Sequence, residues 1–371
     1  MSSLDRIVIQ GIKSIREMDL ALGPLNVLIG ANGAGKSNLI GTFGLLHSIV
    51  EGRLQTAVAR GGGSSSLLHY GPKQTSELQL QLHFGKAGYR AKLGLAQGDT
   101  LFFEDERCWD QAPAYDRPFD VHLGSGHKET ALPDEALKYP GKIASRVLST
   151  LRSWRVYHFH DTSPAAPVKQ KGKIDDNASL RSDASNLAAF LHRLRESKEP
   201  AYRRIVAAIR QVAPFFDDFQ LRADPLSEDR IQLEWREIGS DEYFNAHALS
   251  DGTLRFICLA TLLLQPTPPS LVLIDEPELG LHPFAITQLA AMLQSAATKT
   301  QVLVGTQSVT LMNQLDPGDI IVVDRTDGPS TFKRIGPEEI EAWAEEYSLG
   351  ELWEKNVFGG RPQPAVRPTR P

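Results

Sequence analysis

The stretch Ile29–Asn38, IGANGAGKSN, fits the pattern G-x-x-x-x-G-K-[ST] from Gly30 to Ser37 without a mismatch. Gly30, Gly33 and Gly35 free the backbone to turn the N–H groups of this loop, from Gly30 through Ala31, Asn32, Gly33, Ala34 and Gly35 to Asn38, toward a β-phosphate. A helix that starts near Lys36 aims its positive end at the same place. Lys36 then reaches the β- and γ-phosphates as a point charge, and the Ser37 hydroxyl ligates Mg²⁺. The bland alternative is a chance glycine turn between a strand and a helix, against which the strand–loop–helix order speaks.

A second set of reactive groups lies in SLVLIDEPE (270–278). A continuous apolar run suits a parallel strand covered on both faces, and acids at its C-terminal tip fall where open α/β sheets bind ligand. Asp275 is expected to hold Mg²⁺ through water, and Glu276 to polarise the attacking water as general base. The competing reading of Glu276 is a strand-end acid that caps the following turn.

The elements that must position these groups are legible around them. Residues 5–10 (DRIVIQ) and 25–29 (LNVLI) are predicted strands, the second feeding the glycine loop, and Ser37 onward carries apolar residues at helical spacing. ELQLQLHF (77–84), YRAKLGLA (89–96) and TLFFED (100–105) alternate as an antiparallel meander, whereas 106–132 is polar and irregular in composition. Helical stretches are expected over 134–153 and 185–212, with strands at 155–159 and 231–238. ALSDGTLRFICLATLLLQ (248–265) predicts a turn and an apolar helix; FAITQLAAMLQSAA (284–297) a helix; QVLVGTQS (301–308) and IIVVDR (320–325) strands. A short acidic helix near 337–347 and a Pro-rich, disordered tail from Arg361 complete the expectation.

LSDGT (249–253) alone is a Ser/Gly turn that caps a helix. In this order and spacing, with Ser250 lying 25 residues before Asp275, it resembles the signature loop of ABC-type ATPases. Asp251 and Thr253 stand where that motif usually has Gly and Gln. GLHP (280–283) resembles the loop that follows the catalytic acid in RecF-like, SMC-like and OLD-like members without a transporter domain. IQGIKSIREMDLAL resembles the opening strand of the same group, with Lys13 at its basic position; Lys13 either approaches nucleotide or is a surface lysine on a strand. SLGELWEKNVFGGRP (348–362) resembles the end of a group of bacterial ATPases of this length.

The resemblance implies an α/β P-loop ATPase head with a mixed or parallel sheet, an antiparallel meander and an inserted mainly helical lid. The expected divisions are an ATPase lobe at 1–105, the lid at 106–240, a second ATPase lobe at 241–360 and the tail at 361–371. It implies hydrolysis of the phosphoric anhydride of ATP with Mg²⁺. Two heads would close on two ATP molecules as a homodimer, with Ser250, Asp251 and Gly252 of one chain reaching the γ-phosphate held by the other. Gln307 occupies the place of the usual switch histidine; it can hydrogen-bond a γ-phosphate but carries no charge. Only about 60 residues follow it, with no clustered acids of a nuclease centre. A separately encoded effector is therefore expected, with DNA as a possible ligand and anti-phage defence or DNA repair as the setting. A transporter-associated subunit and a low-turnover ATP-dependent scaffold are the alternatives.

Composition bounds the rest. The chain has 371 residues, 41% hydrophobic and 23% charged, ordinary for a globular protein. Cys108 and Cys258 are the two cysteines, at no metal-like spacing, which suggests a reducing cytoplasm. The longest apolar run, Phe256–Leu264, falls well short of the ~20 residues of a membrane span. The N-terminal MSSLDRIVIQ lacks a signal-peptide core, so no membrane role is expected. Residues 141–212 hold 14 Lys/Arg against 6 Asp/Glu on a chain of net charge −5. Arg193, Arg195, Arg203, Arg204 and Arg210 form either a DNA-facing stripe or a helix surface paired with Glu196 and Glu199. His158, His160 and Asp161 are open between a metal site, a polar loop against ATP and a satisfied strand-end pair.

Overall fold

The computed structural model describes residues 3–110, 119–325, 328–336, 347–357 and 359. The chain divides into two compact units, Met1–Trp154 with Asp316–Pro371, and Arg155–Leu315. The boundaries expected at 105/106 and 240/241 fall inside the first and second of these units. The acidic helix expected near 337–347 and the tail from Arg361 lie outside the described residues, save for Tyr347.

The first unit begins with β1 (Arg6–Ile12), β2 (Ile15–Ala21) and β3 (Leu25–Ile29), then α1 (Lys36–Val50), α2 (Leu54–Arg60) and α3 (Ser64–Leu67). β4 (Glu77–Phe84), β5 (Ala87–Ala96), β6 (Thr100–Asp110), β7 (Phe119–Gly124), α4 (Leu132–Lys138) and α5 (Ile143–Arg152) follow. Six strands make an antiparallel sheet in the order β2-β1-β4-β5-β6-β7. In β4 the residues Leu78, Leu80, Leu82 and Phe84 are buried and the intervening ones are not, the period of two expected of a sheet with one face on the core. Phe43 of α1 and Phe84 of β4 both pack on Trp154, with ring centroids 5.6 and 5.7 Å away. Lys13 sits in the turn between β1 and β2, with φ of 48°, rather than on a strand.

The second unit contains β8 (Trp154–Tyr157) from Arg155 on, β9 (Gly172–Lys173), α6 (Leu187–Ser197), α7 (Glu199–Val212), β10 (Phe216–Gln220), β11 (Ala223–Asp224), β12 (Ser227–Ile231), β13 (Glu234–Glu237) and β14 (Tyr243–Asn245). It closes with α8 (Asp251–Leu264), β15 (Leu271–Asp275), α9 (Pro283–Ala297), β16 (Gln301–Thr306) and α10 (Val309–Met312). Every residue of α8 from Leu254 to Leu263 is buried, Arg255 and Thr261 included, so this is a core helix covered on all sides. β15 and β16 are parallel, with Asp275 opposite Gly305. No helix among the described residues is long and apolar enough to cross a membrane.

The chain then returns to the first unit with β17 (Ile320–Asp324), β18 (Thr331–Arg334) and α11 (Leu349–Glu354). β17 lies parallel to β3 and antiparallel to β18. All five residues of β3 are buried, which gives the phosphate loop a fixed point of departure.

Composition pointed to irregular chain over 106–132, but β6 continues to Asp110 and β7 pairs with it. The polar residues there have a buried purpose. Glu106 is fully buried and accepts hydrogen bonds from Tyr89 Oη at 2.6 Å, His127 Nε2 at 2.9 Å, the Ala131 N–H at 2.9 Å and the Thr130 hydroxyl. A buried carboxylate survives only with such a set of donors. Glu106→Ala strands four of them and is expected to cost about 3 kcal/mol in urea unfolding. A loss below about 0.5 kcal/mol would show that the network holds nothing.

Candidate nucleotide site

In the first unit, β3 ends at Ile29 and α1 starts at Lys36, so the phosphate loop spans strand end to helix start. Its glycines are required by particular neighbours. A Cβ on Gly30 would collide with the Val323 carbonyl of β17, and one on Gly35 with the Ser330 hydroxyl just before β18. Gly33 faces open space but has φ of 79°, where a side chain is strained. Lys36 is buried, and its Nζ donates to the Gly30 carbonyl at 2.7 Å and the Ala31 carbonyl at 3.2 Å. The ammonium is thereby laid along the loop.

Gly35 is the N-cap of α1 and offers no side chain; the first turn of the helix holds no acid. Among the described residues the N–H groups of Gly33, Gly35 and Ser37 donate to no protein acceptor. Unpaired N–H groups, the helix dipole and a nearby cation together suit a polyphosphate. Ser37 is exposed at the helix start and Asn38 is half-buried one residue on. Asn38 is turned away from the loop mouth, donating to the Ser14 hydroxyl at 2.7 Å.

The second unit gathers the acids. Asp275 ends β15, and its Oδ1 is buried with no hydrogen-bond partner. An orphaned buried carboxylate oxygen fits a cation ligand. Glu276 has φ of 44°, a left-handed backbone that a non-glycine residue adopts only under constraint, and its N–H is tied to the Gly305 carbonyl at 2.7 Å. Gln307 Nε2 donates to Glu276 Oε1 at 2.6 Å. Sequence placed Gln307 at the switch position; the structure brings it onto the expected base.

Glu278 was not singled out by its sequence. Its Oε1 accepts from the Thr306 hydroxyl at 2.6 Å and from the Gln307 N–H at 3.1 Å, so it fixes the backbone from which Gln307 reaches Glu276. Its Oε2 is buried without a partner. Burial raises the Glu278 carboxyl pKa and Glu276 adds to this, against the lowering by Thr306 and Gln307. The signal available in the sequence was a third acid in DEPE, two residues beyond the base.

The signature segment is held in the same unit. Ser250 is the N-cap of α8, accepting from the Thr253 N–H at 3.1 Å and lying 2.8 Å from the Thr253 hydroxyl. A Cβ on Gly252 would stand 2.5 Å from the Gly280 carbonyl, so the LSDGT and GLHP loops touch through glycine. Arg255, also missed, is buried and donates to the carbonyls of Phe159 at 3.0 Å, His160 at 3.1 Å and Leu279. Burial lowers its pKa. Asp251 is exposed, with Lys169 Nζ 3.8 Å from its Oδ1.

Desolvation first, and then His160, hold the His158 imidazole below its usual pKa, with Asp275 opposing. Asp161 accepts from the Ser163 N–H, and no group of three His, Cys, Asp or Glu among the described residues is arranged to hold a metal alone. Of the arginine stripe, Arg203 pairs with Glu199, Arg195 lies 3.8 Å from Glu196, and Arg193, Arg195 and Arg210 bond backbone carbonyls.

The unpartnered, desolvated oxygen of Glu278 predicts a linkage between pH and stability. A carboxyl whose folded pKa is raised favours folding below its unfolded pKa, and loses that contribution as pH rises through the folded value. Glu278→Gln keeps an acceptor for Thr306 and Gln307 while removing the charge. The nucleotide-free variant is expected to melt higher than the parent at pH 7.5, with the gap closing as pH falls toward the ordinary glutamate value of 4.5. A gap that is constant across this range contradicts the assignment.

A sequence family described as "AAA domain, putative AbiEii toxin, Type IV TA system" matches residues 25–313. No curated protein matches in sequence. Solved structures with a similar fold include an SMC head bound to the C-winged helix domain of ScpA, with a TM-score of 0.56 and 18% identity over 92% of this chain and 99% of that one. An SMC head with an extended coiled coil, bound to the C-terminal domain of ScpA and derived from Pyrococcus furiosus, gives 0.55 and 17% over 93% and 99%. An SMC head with a coiled coil and joint from Pyrococcus yayanosii gives 0.50 and 14% over 93% and 99%. The expected fold class, a P-loop ATPase head of mixed α/β type, is therefore the observed one. With the family match covering well over half of its length, the chain belongs to this family of AAA-type ATPases and has the fold of an SMC head.

Proposed function

We propose that the protein is an ATP-driven switch whose two heads close on two ATP molecules and open after hydrolysis. In this reading the loop N–H groups of Gly33, Gly35 and Ser37, with Lys36, hold the β- and γ-phosphates. Asp275 and the Ser37 hydroxyl are the ligands for Mg²⁺, which when bound offsets charge on the phosphate oxygens. The unpartnered Asp275 oxygen supports this assignment.

The observation that carries the reading is the Gln307–Glu276 hydrogen bond on a strained Glu276 backbone. Gln307 engages Glu276 Oε1, which leaves Oε2 to accept the proton of the attacking water. The water oxygen bonds to the γ-phosphorus, the bond from the γ-phosphorus to the oxygen of ADP breaks, and the proton passes to Glu276. Ser250, Asp251 and Gly252 of the second chain are assigned to the γ-phosphate at the start of α8, where N–H groups favour an anion. The SMC-type fold supports a head-to-head dimer, and the toxin–antitoxin wording of the family supports an effector encoded separately, in anti-phage defence or repair. DNA has the weaker support, because most of the candidate arginines are engaged within the protein.

Glu276→Gln tests this. The variant is expected to lose about 10²-fold or more in turnover and to accumulate as an ATP-dependent dimer in sedimentation. A variant that stays monomeric with ATP at high protein concentration contradicts the sandwich. Retained turnover contradicts the role of Glu276.

A further inference from the structure

The hairpin of β17 and β18 touches the phosphate loop at both ends, and its contact at Ser330 is a hydroxyl rather than an apolar group. Ser330 is 1% exposed and Ser14, in the β1–β2 turn, 4% exposed. Asn38 Nδ2 lies 2.7 Å from Ser14 Oγ, Ser14 Oγ lies 2.7 Å from Ser330 Oγ, and Ser330 Oγ meets the Ala34 carbonyl. The Ser330 N–H also donates to the Ser14 carbonyl at 2.7 Å. Each hydroxyl has one proton to give. The amide of Asn38 can only donate to Ser14, and the Ala34 carbonyl can only accept, so the protons run one way: Asn38 to Ser14, Ser14 to Ser330, Ser330 to Ala34.

We propose that Ser330 is a positioning residue for the phosphates of ATP, acting through the Ala34–Gly35 peptide. A trans peptide is planar, with its C=O and N–H pointing in opposite directions. Anchoring the Ala34 oxygen on Ser330 turns the Gly35 N–H to the opposite side of the peptide, away from Ser330, where it has no acceptor among the described residues. The same hydroxyl forbids a side chain at Gly35, whose φ of 122° keeps the peptide in this orientation. A phosphate therefore meets a donor aimed before it arrives, held by residues that lie 316 positions apart in sequence.

The inference rests on ATP binding and is independent of head closure. A donor that meets the phosphates equally in ground and transition states contributes uniform binding, so its loss appears in affinity rather than in turnover. Titration calorimetry and steady-state kinetics on the full chain are the test. Ser330→Ala is expected to weaken both ATP and ADP about tenfold, with kcat at saturating ATP within about twofold of the parent. Ser14→Ala breaks the relay one hydroxyl earlier and should shift both affinities in the same direction; the double variant should be no weaker than Ser330→Ala by more than about twofold. Ser330→Thr, which keeps the donor, should restore affinity relative to Ser330→Ala. Unchanged affinity in Ser330→Ala and Ser14→Ala overturns the proposal, as does a loss confined to kcat. If Ser330→Ala does not fold, Ser14→Ala decides alone by the same criteria.

Discussion

A phosphate loop must keep several backbone N–H groups unpaired and pointed at an anion, within a chain that elsewhere pairs nearly all of them. The first unit is organised around that requirement. The buried strand β3 delivers the loop, α1 begins without a capping side chain, and Lys36 lies along the loop through the Gly30 and Ala31 carbonyls. Crowding by β17 and Ser330 restricts two positions to glycine. The motif's glycines thus answer to three different demands: close approach at Gly30, a left-handed turn at Gly33, and both at Gly35.

The second unit handles the opposite problem, which is to keep carboxylates ready while burying them in part. Asp275 and Glu278 each retain a buried oxygen without a partner, and Glu276 is set on a left-handed backbone. Such arrangements cost stability and persist where surrounding bonds over-determine them. Here the constraints are Thr306 and Gln307 on Glu278, Gln307 on Glu276, and the Gly305 carbonyl on the Glu276 N–H. Arg255 adds a mechanical link, since one buried guanidinium bonds the carbonyls of Phe159 and His160, just beyond β8, and of Leu279, just before the GLHP loop. Movement of the α8 start would therefore be felt at both loops.

Much of this was legible in sequence because local chemistry dictated it. The loop from Gly30 to Ser37, the apolar strand that ends at Asp275, the Ser250 cap and the core helix behind it were all written in consecutive residues. What stayed hidden depends on partners distant in the chain. Ser330 gains its meaning from Ser14 and Ala34, and Arg255 from carbonyls that no sequence pattern marks. Glu106, His127 and Thr130 are part of what made 106–132 read as polar and irregular, since a polar composition cannot tell water from a buried network. Lys13, expected on a strand, turns the β1–β2 corner because a two-residue connection needs a left-handed backbone there.

In the proposed switch, a phosphate loop in one chain and a signature segment in another complete a single hydrolytic site. Mixing two inactive variants tests it most directly. Lys36→Ala disables the loop and Ser250→Arg the signature, and each alone should lack ATPase activity. If the site is shared between chains, the mixed dimer contains one intact loop facing one intact signature, and activity should return on mixing, in proportion to heterodimer formed. If both variants are inactive alone and the mixture stays inactive despite demonstrated heterodimers, the two elements act within one chain and the account is contradicted.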